Sequence, residues 1–387
     1  MLIAALMMTA AVLNAGAAKS FTDMKGHWAK DYVTKAVDRG YVSGYSDGTF
    51  RPNNSITRAE FCKMLNSALG ISSTAQVSFT DLKSSQWYYT DVQKAVGAGY
   101  IGGYDDGTFK GDNKITRQEA AVVMSRIVTS PSKAKDLSGL RDSSSIASWA
   151  KNGVTIVYSK GYMVGDNNRR FNPSGNLTRA ESVKIIESLL DKETIVKSNL
   201  TVLTAGQSYS DKIYVGSVVV SQGVGKGSVT FTNCRILGTM LVNGGGTSGI
   251  RLAGTRVSNM TVNNTQATVG VACAGASTVC NAYVSTPCAL TEASLTGIGT
   301  GFENVTLGGT GLSGKTVTLS GNYNTVTVNS SKAGLDLTSG KIASLVISSS
   351  ASGSEIGLSS GTTVDKATIN ASCSFTGQGK ITSAEQN

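Results

Sequence analysis

A block of about 60 residues occurs three times in the first half of this chain, and this repetition constrains the fold more than any other feature. Each block has a Trp near its start, a Tyr-containing glycine loop in its middle and a Thr-Arg motif at its end. The closing motifs are Ile56–Glu60, Ile115–Glu119 and Leu177–Glu181. Three copies of one pattern predict three similar folding units in tandem.

Each block is predicted to form two helices joined by a loop. In the first block, Ala36 and Val37 belong to an apolar pattern with helical spacing, and Gly40 follows as a left-handed stop. The second helix opens with a capping box, in which Thr57 and Glu60 each bond to the other's backbone N–H. The equivalent pairs are Thr116 with Glu119 and Thr178 with Glu181.

The order of these motifs resembles the S-layer homology (SLH) domain, in triplicate. In the first block the matching elements are Phe21-Thr22-Asp23, Trp28, Gly44-Tyr45, Asp47-Gly48-Thr49-Phe50 and Ile56–Glu60. The resemblance covers roughly residues 20 to 190, about half of the chain. It implies a mainly α, three-module pseudo-trimer around a central helix bundle. It also implies grooves that bind secondary cell-wall polysaccharide, typically polysaccharide with ketal-pyruvylated sugars.

The arginines Arg58, Arg117 and Arg179 follow the three caps directly and are the first candidates for binding this polysaccharide. A guanidinium at that position lies near free backbone N–H groups and the positive end of a helix dipole, which suits an anion. It can also form two parallel hydrogen bonds with a carboxylate, such as that of a pyruvyl ketal. The alternative is that these arginines are solvated residues that merely follow a good cap.

Further candidate polysaccharide-binding residues lie in the first two blocks. An exposed Trp or Tyr ring can stack on a sugar, although a Trp at the start of an amphipathic helix is more often core. The glycines are turn residues that can take positive φ, and the aspartates are alternatively braces of the first helix. These candidates are Trp28, Trp87, Tyr45, Tyr104, Gly48, Gly107, Asp23 and Asp81.

The third block departs from the pattern in its loop. It has Asp166 where the other blocks have Tyr, and Asn167-Asn168-Arg169 where they carry Asp-Gly. We therefore expect the groove served by this loop to be the weakest, and Arg58 and Arg117 to contribute more to binding than Arg179. No metal ligand, catalytic residue or cofactor is predicted in any block.

The second half has a different composition, with no Trp and no His beyond about residue 200. Short alternating runs such as Val229–Phe231 and Ile250–Leu252 begin about 20 residues apart, which is the length of one coil of a solenoid. We predict an all-β, right-handed parallel β-helix, with an Ig-like sandwich as the alternative. Asn243 and Asn263 are expected to begin an asparagine ladder. This half resembles the β-repeat regions of Firmicutes surface proteins.

The beginning of the chain and its cysteines bear on localisation. Residues 2–12 are almost wholly apolar and Ala15-Gly16-Ala17 resembles a cleavage site, which predicts a signal peptide, truncated at its basic end. The alternative is a buried N-terminal helix. No later apolar run approaches the roughly 18 residues of a membrane helix, so no transmembrane anchor is expected. In an exported chain Cys273, Cys280 and Cys288 are close enough to pair, while Cys62 is predicted to be core.

These observations together predict a domain order and a function. The predicted segments are a signal peptide (1–17), three modules (18–75, 76–135, 136–192), a linker (193–200) and a β-solenoid (201–387). We expect a secreted cell-wall or S-layer protein that attaches non-covalently to anionic, pyruvylated secondary cell-wall polysaccharide bound to peptidoglycan. The solenoid is then a structural or adhesive element capable of self-assembly.

The net charge of +10 fits an acidic partner, but the isolated Lys and Arg residues of the second half argue against nucleic acid. The alternative function is a wall-tethered polysaccharide-degrading enzyme with a β-helix catalytic domain. Such an enzyme needs clustered carboxylates. The acids here are scattered, although stacking could bring Asp336 near Glu355 or Glu303. We therefore expect no enzymatic activity.

Overall fold

The structure is a computed structural model that describes residues 21–297 and 299–387. The predicted signal peptide at residues 1–17 lies outside the described residues. The described part consists of a helical region followed by a parallel β-solenoid of about nine turns, as the sequence predicts. Among the described residues, every helix is too short or too polar to span a lipid bilayer.

Two α-helices form each of the three modules. They are α1 (Lys30–Asp38) and α2 (Arg58–Leu69), α3 (Tyr89–Gly97) and α4 (Arg117–Ile127), and α5 (Lys151–Ser159) and α6 (Arg179–Lys192). Short 3-10 helices occur at Thr22–Met24, Leu137–Gly139, Ser143–Ser145, Ser148–Ala150, Gln222–Val224 and Thr310–Leu312.

The predicted capping boxes are confirmed in all three modules. Thr57 accepts from the Glu60 amide while the Glu60 carboxylate accepts from the Thr57 amide, and the other two pairs do the same. These reciprocal bonds satisfy amides that the first turn of a helix leaves free, and they fix where α2, α4 and α6 begin.

The three modules close into a ring. The first helix of each module packs on the second helix of the preceding one, so that α3 contacts α2, α5 contacts α4 and α1 contacts α6. The segments before the second helices also pair in a cycle, through the bridges Thr57–Lys114, Thr116–Asn176 and Ser55–Thr178. Because every module has two neighbours and no end is left open, the arrangement is the pseudo-trimer that the resemblance implies.

The solenoid contains nineteen strands among the described residues, all paired in parallel. They are β1 (Thr194–Val196), β2 (Leu200–Val202), β3 (Ser208–Ser210), β4 (Lys212–Tyr214), β5 (Val218–Val220), β6 (Val229–Thr232), β7 (Arg235–Val242), β8 (Ile250–Ala253), β9 (Arg256–Val262), β10 (Val269–Gly275), β11 (Thr278–Val284), β12 (Cys288–Leu295), β13 (Gly301–Leu307), β14 (Thr316–Val328), β15 (Gly334–Ile347), β16 (Ser354–Leu358), β17 (Thr363–Ile369), β18 (Cys373–Gly377) and β19 (Lys380–Gln386).

Successive coils stack residue on residue. Ile236 pairs with Val257, Val257 with Val279 and Val279 with Phe302, so that one buried apolar column runs through four coils. The parallel pairing rules out the Ig-like sandwich, whose strands pair antiparallel. The segment 193–200, predicted as a linker, instead contains β1, which pairs with β4, and the first residue of β2.

The predicted asparagine ladder occurs at different residues. Asn281 donates to Asn259, and Asn304 donates to Asn281, along β9, β11 and β13. Asn263 instead accepts from the Ser285 hydroxyl. The ladder forms on the strands because these three positions lie opposite one another in register, which the prediction at the turn did not consider.

The six cysteines of the chain are free, and five of them are buried. Cys273, Cys280 and Cys288, which the sequence places close enough to pair, lie on three different strands. In the register of β10 and β12, Cys288 lies opposite Val269, four residues from Cys273. Four residues of extended strand separate positions by about 13 Å, too far for a disulfide. Cys62 is core, as predicted.

The solenoid docks on the helical ring along β4, β7 and β9. Ile213 and Leu237 belong to the same buried apolar cluster as the module core. Ser258 donates to the carbonyl of Ala98 at 2.6 Å and Asn259 to that of Gly97 at 2.7 Å, which caps the C-terminal end of α3. Gly99 has a φ of +68° and a Cβ there would lie 2.7 Å from the Ser258 hydroxyl, so this close approach requires glycine.

Candidate binding grooves

Each of the three capped arginines reaches into the next module of the ring. The Nε of Arg58 donates to the carbonyl of Phe109 at 3.1 Å, and its Nη2 donates to that of Gly102 at 3.2 Å. Arg117 donates in the same way to Phe171 and Val164, and Arg179 to Phe50 and Ser43. The arginines therefore hold the loop of the neighbouring module.

The backbone amides at these helix starts are not free, contrary to the prediction of an anion site there. The amide of Arg58 donates to the carbonyl of Asn113 and that of Ala59 to Gly111, both in the next module. The amides of Arg117 and Arg179 donate to Gly175 and Asn54 in the same manner. The alternative of a solvated arginine is also wrong for Arg58, which is only 5% exposed. These helix amides are therefore not available to bind an anion.

Three modules contribute to a cavity of about 440 Å³, here called groove A. Module 1 supplies Arg58, module 2 supplies Tyr104 and Glu119, and module 3 supplies Trp149. The Arg58 guanidinium lies 4.6 Å from the centre of the Tyr104 ring and 3.5 Å from a Glu119 oxygen. The other lining residues are Ile101, Gly102, Gly103, Asp105, Val122, Val123 and Arg126.

A second cavity of about 270 Å³, here called groove B, has the same arrangement of an arginine, a tyrosine and a tryptophan one step around the ring. Module 3 supplies Arg179, module 1 supplies Tyr45 and Lys63, and module 2 supplies Trp87. The Lys63 ammonium lies 5.2 Å from the centre of the Trp87 ring. Among the ion pairs of the described residues, Arg179 has none, whereas Arg58 and Arg117 each pair with a capping glutamate. The remaining lining residues are Tyr41, Val42, Ser43, Gly44, Glu60 and Met64.

The altered loop of module 3 serves Arg117, not Arg179. Arg117 bonds to the carbonyl of Val164 in that loop and pairs with Glu181, and Asp166 stands where Tyr45 and Tyr104 stand in the other loops. We call this arrangement groove C. The expectation that Arg179 contributes least to binding assumed that the altered loop lies in the same groove as Arg179. This assignment of the loop is wrong, because each arginine contacts the loop of the next module.

The tryptophans are exposed rather than core. Trp28, Trp87 and Trp149 have exposed fractions of 55%, 56% and 58%, and the latter two line the grooves. Trp149 was absent from the candidate binding residues, although its place in the third repeat is the same as that of Trp28 and Trp87. Repeat position alone would have found it.

The remaining candidates from the sequence hold the loops together. The Asp23 carboxylate accepts from the amides of Phe50 and Arg51, and Asp81 accepts from those of Phe109 and Lys110. They thus brace the turn rather than the first helix. Gly48 and Gly107 occupy that turn with φ near +77° and lie outside the lining of grooves A and B. A sugar contact by these four residues stays a prediction.

Groove A contains a polar network that fixes the charge of its acid. Burial acts to raise the pKa of Glu119, but hydrogen bonds from Tyr104 and Thr116 and the nearby Arg58 charge outweigh it and lower that pKa. Burial first, and then the hydrogen bond to Glu119, raise the pKa of Tyr104 to about 12. Glu119 is therefore an anion and Tyr104 a neutral hydroxyl at physiological pH, and Arg58 faces a carboxylate already in place.

The acids of the solenoid do not converge. Gly334 lies opposite Glu355 in the register of β15 and β16, which offsets Asp336 by two residues from that glutamate. Asp365 and Glu385 pair with Lys341 and Lys366 at 3.1 and 3.0 Å. Within residues 21–297 and 299–387, no group of three or more His, Cys, Asp or Glu residues is placed to hold a metal ion.

Comparison with known proteins identifies the modules. The model of the S-layer homology domain matches residues 20–62, 78–121 and 140–181. Amylopullulanase of Thermoanaerobacterium thermosulfurigenes is 36% identical over 179 residues, which are 45% of this chain and 10% of that protein. The Surface-layer 125 kDa protein of Lysinibacillus sphaericus is 30% identical over 49% of this chain and 16% of its own length.

The cellulosome-anchoring protein of Acetivibrio thermocellus is 31% identical over 167 residues, 39% of this chain. The matched segment is 36% of that protein, so the chain spans about a third or less of the length of these three relatives. All three similarities extend over less than half of the present chain.

Proposed function

With three S-layer homology domains in its N-terminal half, this chain is a surface protein of the cell wall, and we propose that grooves A and B attach it to acidic groups of a secondary cell-wall polysaccharide. The acidic group we favour is the carboxylate of a pyruvyl ketal. Attachment is non-covalent and uses two grooves on one rigid ring, so that binding at one groove raises the effective concentration at the other.

One observation carries this proposal, namely that a guanidinium, a tyrosine and an exposed indole from three different modules meet in each groove. The cation suits a carboxylate, and the two aromatic rings suit the apolar faces of a sugar. A guanidinium has five N–H donors. Arg58 uses three of them within the protein and Arg179 uses two, which leaves donors for a ligand on both.

The charged residues of the three grooves predict which of them bind an acidic ligand best. Arg179 in groove B has no carboxylate partner and is joined by Lys63. Arg58 in groove A is paired with Glu119 but shares its groove with Arg126. Arg117 in groove C is paired with Glu181, and the loop that it holds carries Asp166 in the position of the tyrosine. We therefore expect grooves A and B to bind and groove C to contribute mainly to ring closure.

The solenoid supplies a rigid extension rather than a catalytic centre in this proposal. About nine coils stacked at about 4.8 Å give a rod roughly 40 Å long. Its few acids are scattered over several coils, with no metal-binding group of three among the described residues, which supports a structural or adhesive role. A wall-tethered enzyme would release reducing or unsaturated sugars from wall polymer, and we expect no such release above a buffer blank.

The test is sedimentation of the full chain with purified cell walls. The full chain is needed because Ile213 and Leu237 of the solenoid complete the core of the ring. We expect the protein to pellet with native walls, to stay in the supernatant with walls stripped of secondary polymer, and to bind weakly after mild acid removes the ketals. Equal pelleting with native and stripped walls would contradict the proposal.

Variants of single arginines test the ranking of the grooves. Arg179→Gln is expected to weaken wall binding about tenfold, because a charge-assisted hydrogen bond to the ligand is lost. Arg117→Gln is expected to have a smaller effect. Arg251→Gln, an exposed residue on β8, removes the same charge outside the grooves and is the matched control. A larger loss for Arg117→Gln than for Arg179→Gln would overturn the ranking.

A further inference from the structure

Groove A contains a second arginine that the other modules lack. Arg126 lies near the end of α4, partly buried, and lines the groove together with Arg58. The equivalent positions, nine residues after the capped arginines Arg58 and Arg179, hold Ser67 and Ser188. Only the module that contacts β9 of the solenoid therefore carries a cation at this position.

The solenoid places another guanidinium behind Arg126. Arg256 on β9 donates to the carbonyl of Gly99, and Arg126 donates to the carbonyl of the next residue, Tyr100, both at 3.4 Å. The two side chains are thus anchored on adjacent carbonyls of the loop that continues to Gly102, where Arg58 is held. One short segment of chain brings three arginines together at the junction of the ring and the solenoid.

The guanidinium groups of Arg126 and Arg256 lack a direct carboxylate partner in the described part of the chain. Neither Arg126 nor Arg256 forms an ion pair within 4.0 Å among the described residues, and the buried Nε of Arg256 has no hydrogen-bond partner. Burial first, and then the charge of Arg256, lower the pKa of Arg126. The charge of Glu303, which accepts a hydrogen bond from the Thr300 hydroxyl, acts to raise that pKa but is outweighed, and the exposed Asp105 also lines groove A.

Unpaired, partly buried cations of like sign cost stability, and a bound anion offsets that cost. We propose that Arg126, supported by Arg256, forms a second anion subsite of groove A that binds another acidic group of the same polysaccharide. This inference rests on the proposed function and adds that the solenoid helps to build the binding site. It also makes groove A specific for polymer whose acidic groups are closely spaced.

The decisive variants are Arg126→Ser, which installs the residue of the other two modules, and Arg126→Lys, which keeps the charge. Arg251→Ser on the exposed face of β8 is the matched control for the loss of one charge. Full-length proteins are compared in wall sedimentation at low and high NaCl, and their thermal unfolding midpoints are measured without ligand.

We expect Arg126→Ser to bind native walls about tenfold more weakly at low salt, with a smaller deficit at high salt because one ionic contact is missing. Its midpoint without ligand should equal or exceed that of the wild type, because the repulsion with Arg256 is relieved. Arg126→Lys should lose only a few-fold, and Arg251→Ser should bind within twofold of the wild type.

Wall binding by Arg126→Ser that equals the wild type at every salt concentration would overturn this subsite while leaving the proposed function intact. A lowered midpoint that accompanies weaker binding in both Arg126 variants would also overturn it, because Arg126 would then be a structural residue. Failure of the wild type itself to bind walls would instead refute the proposed function.

Repeating the comparison on walls freed of ketals identifies the second acidic group. A persistent difference between wild type and Arg126→Ser assigns a phosphate or another acid to the subsite, and its disappearance assigns a second ketal carboxylate.

Discussion

The helical ring and the solenoid of this chain both repeat a short motif, but they join their repeats differently. Each module of the ring inserts an arginine into the loop of the next module, and the third module returns to the first. Within the solenoid, each coil pairs with the coils above and below it. Closure in the ring brings chemically different residues from three modules to one place, whereas linear stacking sets like residues on like residues.

The difference explains where function is concentrated. A groove of the ring combines a cation, an acid and two aromatic rings, and no single module contains all of them in contact. The solenoid instead forms ladders, such as the one from Asn259 to Asn304, that strengthen the rod without creating a mixed site. In the proposed function the ring binds and the solenoid extends, except at Arg256, which lies close to Arg126 of groove A.

The largest expected effect comes from removing a core side chain in each region. Phe109→Ala should lower the free energy of unfolding by about 3–5 kcal/mol, because the Phe109 side chain is fully buried. It should also weaken wall binding, because the Phe109 side chain contacts the Arg58 guanidinium. Leu335→Ala in β15 should cost about 2–5 kcal/mol and leave wall binding unchanged. Urea unfolding measures the stability and wall sedimentation measures the binding. Weaker wall binding by Leu335→Ala would contradict the assignment of binding to the helical ring alone.

The exposed tryptophans give the next largest effect. Replacing both Trp87 and Trp149 by Ala should weaken wall binding about 30-fold, because about 1 kcal/mol of stacking is lost in each groove. Both indoles are more than half exposed, so the unfolding midpoint should stay close to that of the wild type. Tyr283→Ala, an exposed aromatic of the solenoid, is the control. An equal loss for Tyr283→Ala would show that the rod also binds wall.

The asparagine ladder gives a smaller effect, confined to stability. Asn281→Ala should lower the free energy of unfolding by about 1 kcal/mol, because it removes the side chain that bridges Asn259 and Asn304. Asn324→Ala, an exposed asparagine of β14, should change it by less than about 0.5 kcal/mol. Two equal changes in urea unfolding would mean that the ladder adds nothing to the stacking of the coils.

The smallest effect is the pH dependence of groove A. The pKa of Glu119 is lowered in the folded protein by hydrogen bonds from Tyr104 and Thr116 and by the charge of Arg58, so these interactions stabilise the helical ring fully above the unfolded pKa of about 4.3. That contribution is lost as the pH falls through the lowered folded value. The midpoints of wild type and Glu119→Gln should therefore differ at neutral pH and converge progressively below about pH 4. Glu355→Gln, on the exposed face of β16, is the control for the loss of one carboxylate. A difference in midpoint between wild type and Glu119→Gln that stays constant at all pH values would contradict a lowered pKa of Glu119.

The sequence predicted the local parts of this structure well. The caps at Thr57, Thr116 and Thr178 join residues three positions apart, and such contacts can be read from spacing alone. The period of about 20 residues likewise predicted the solenoid, because each coil must match the next in length. The pattern did not reveal which asparagines stack, since that depends on the register between β9, β11 and β13.

The sequence by itself determined three capped modules, a parallel solenoid and the residue types of the binding grooves. Only the tertiary structure decided which residues meet: Arg179 bonds to Ser43, 136 positions away, and Trp149 lies in the groove of Arg58. It also decided that the helix amides are occupied and that Arg126 and Arg256 share one loop. The physical reason is that ring closure and domain docking join distant residues, whereas propensity, capping and periodicity report only neighbours along the chain.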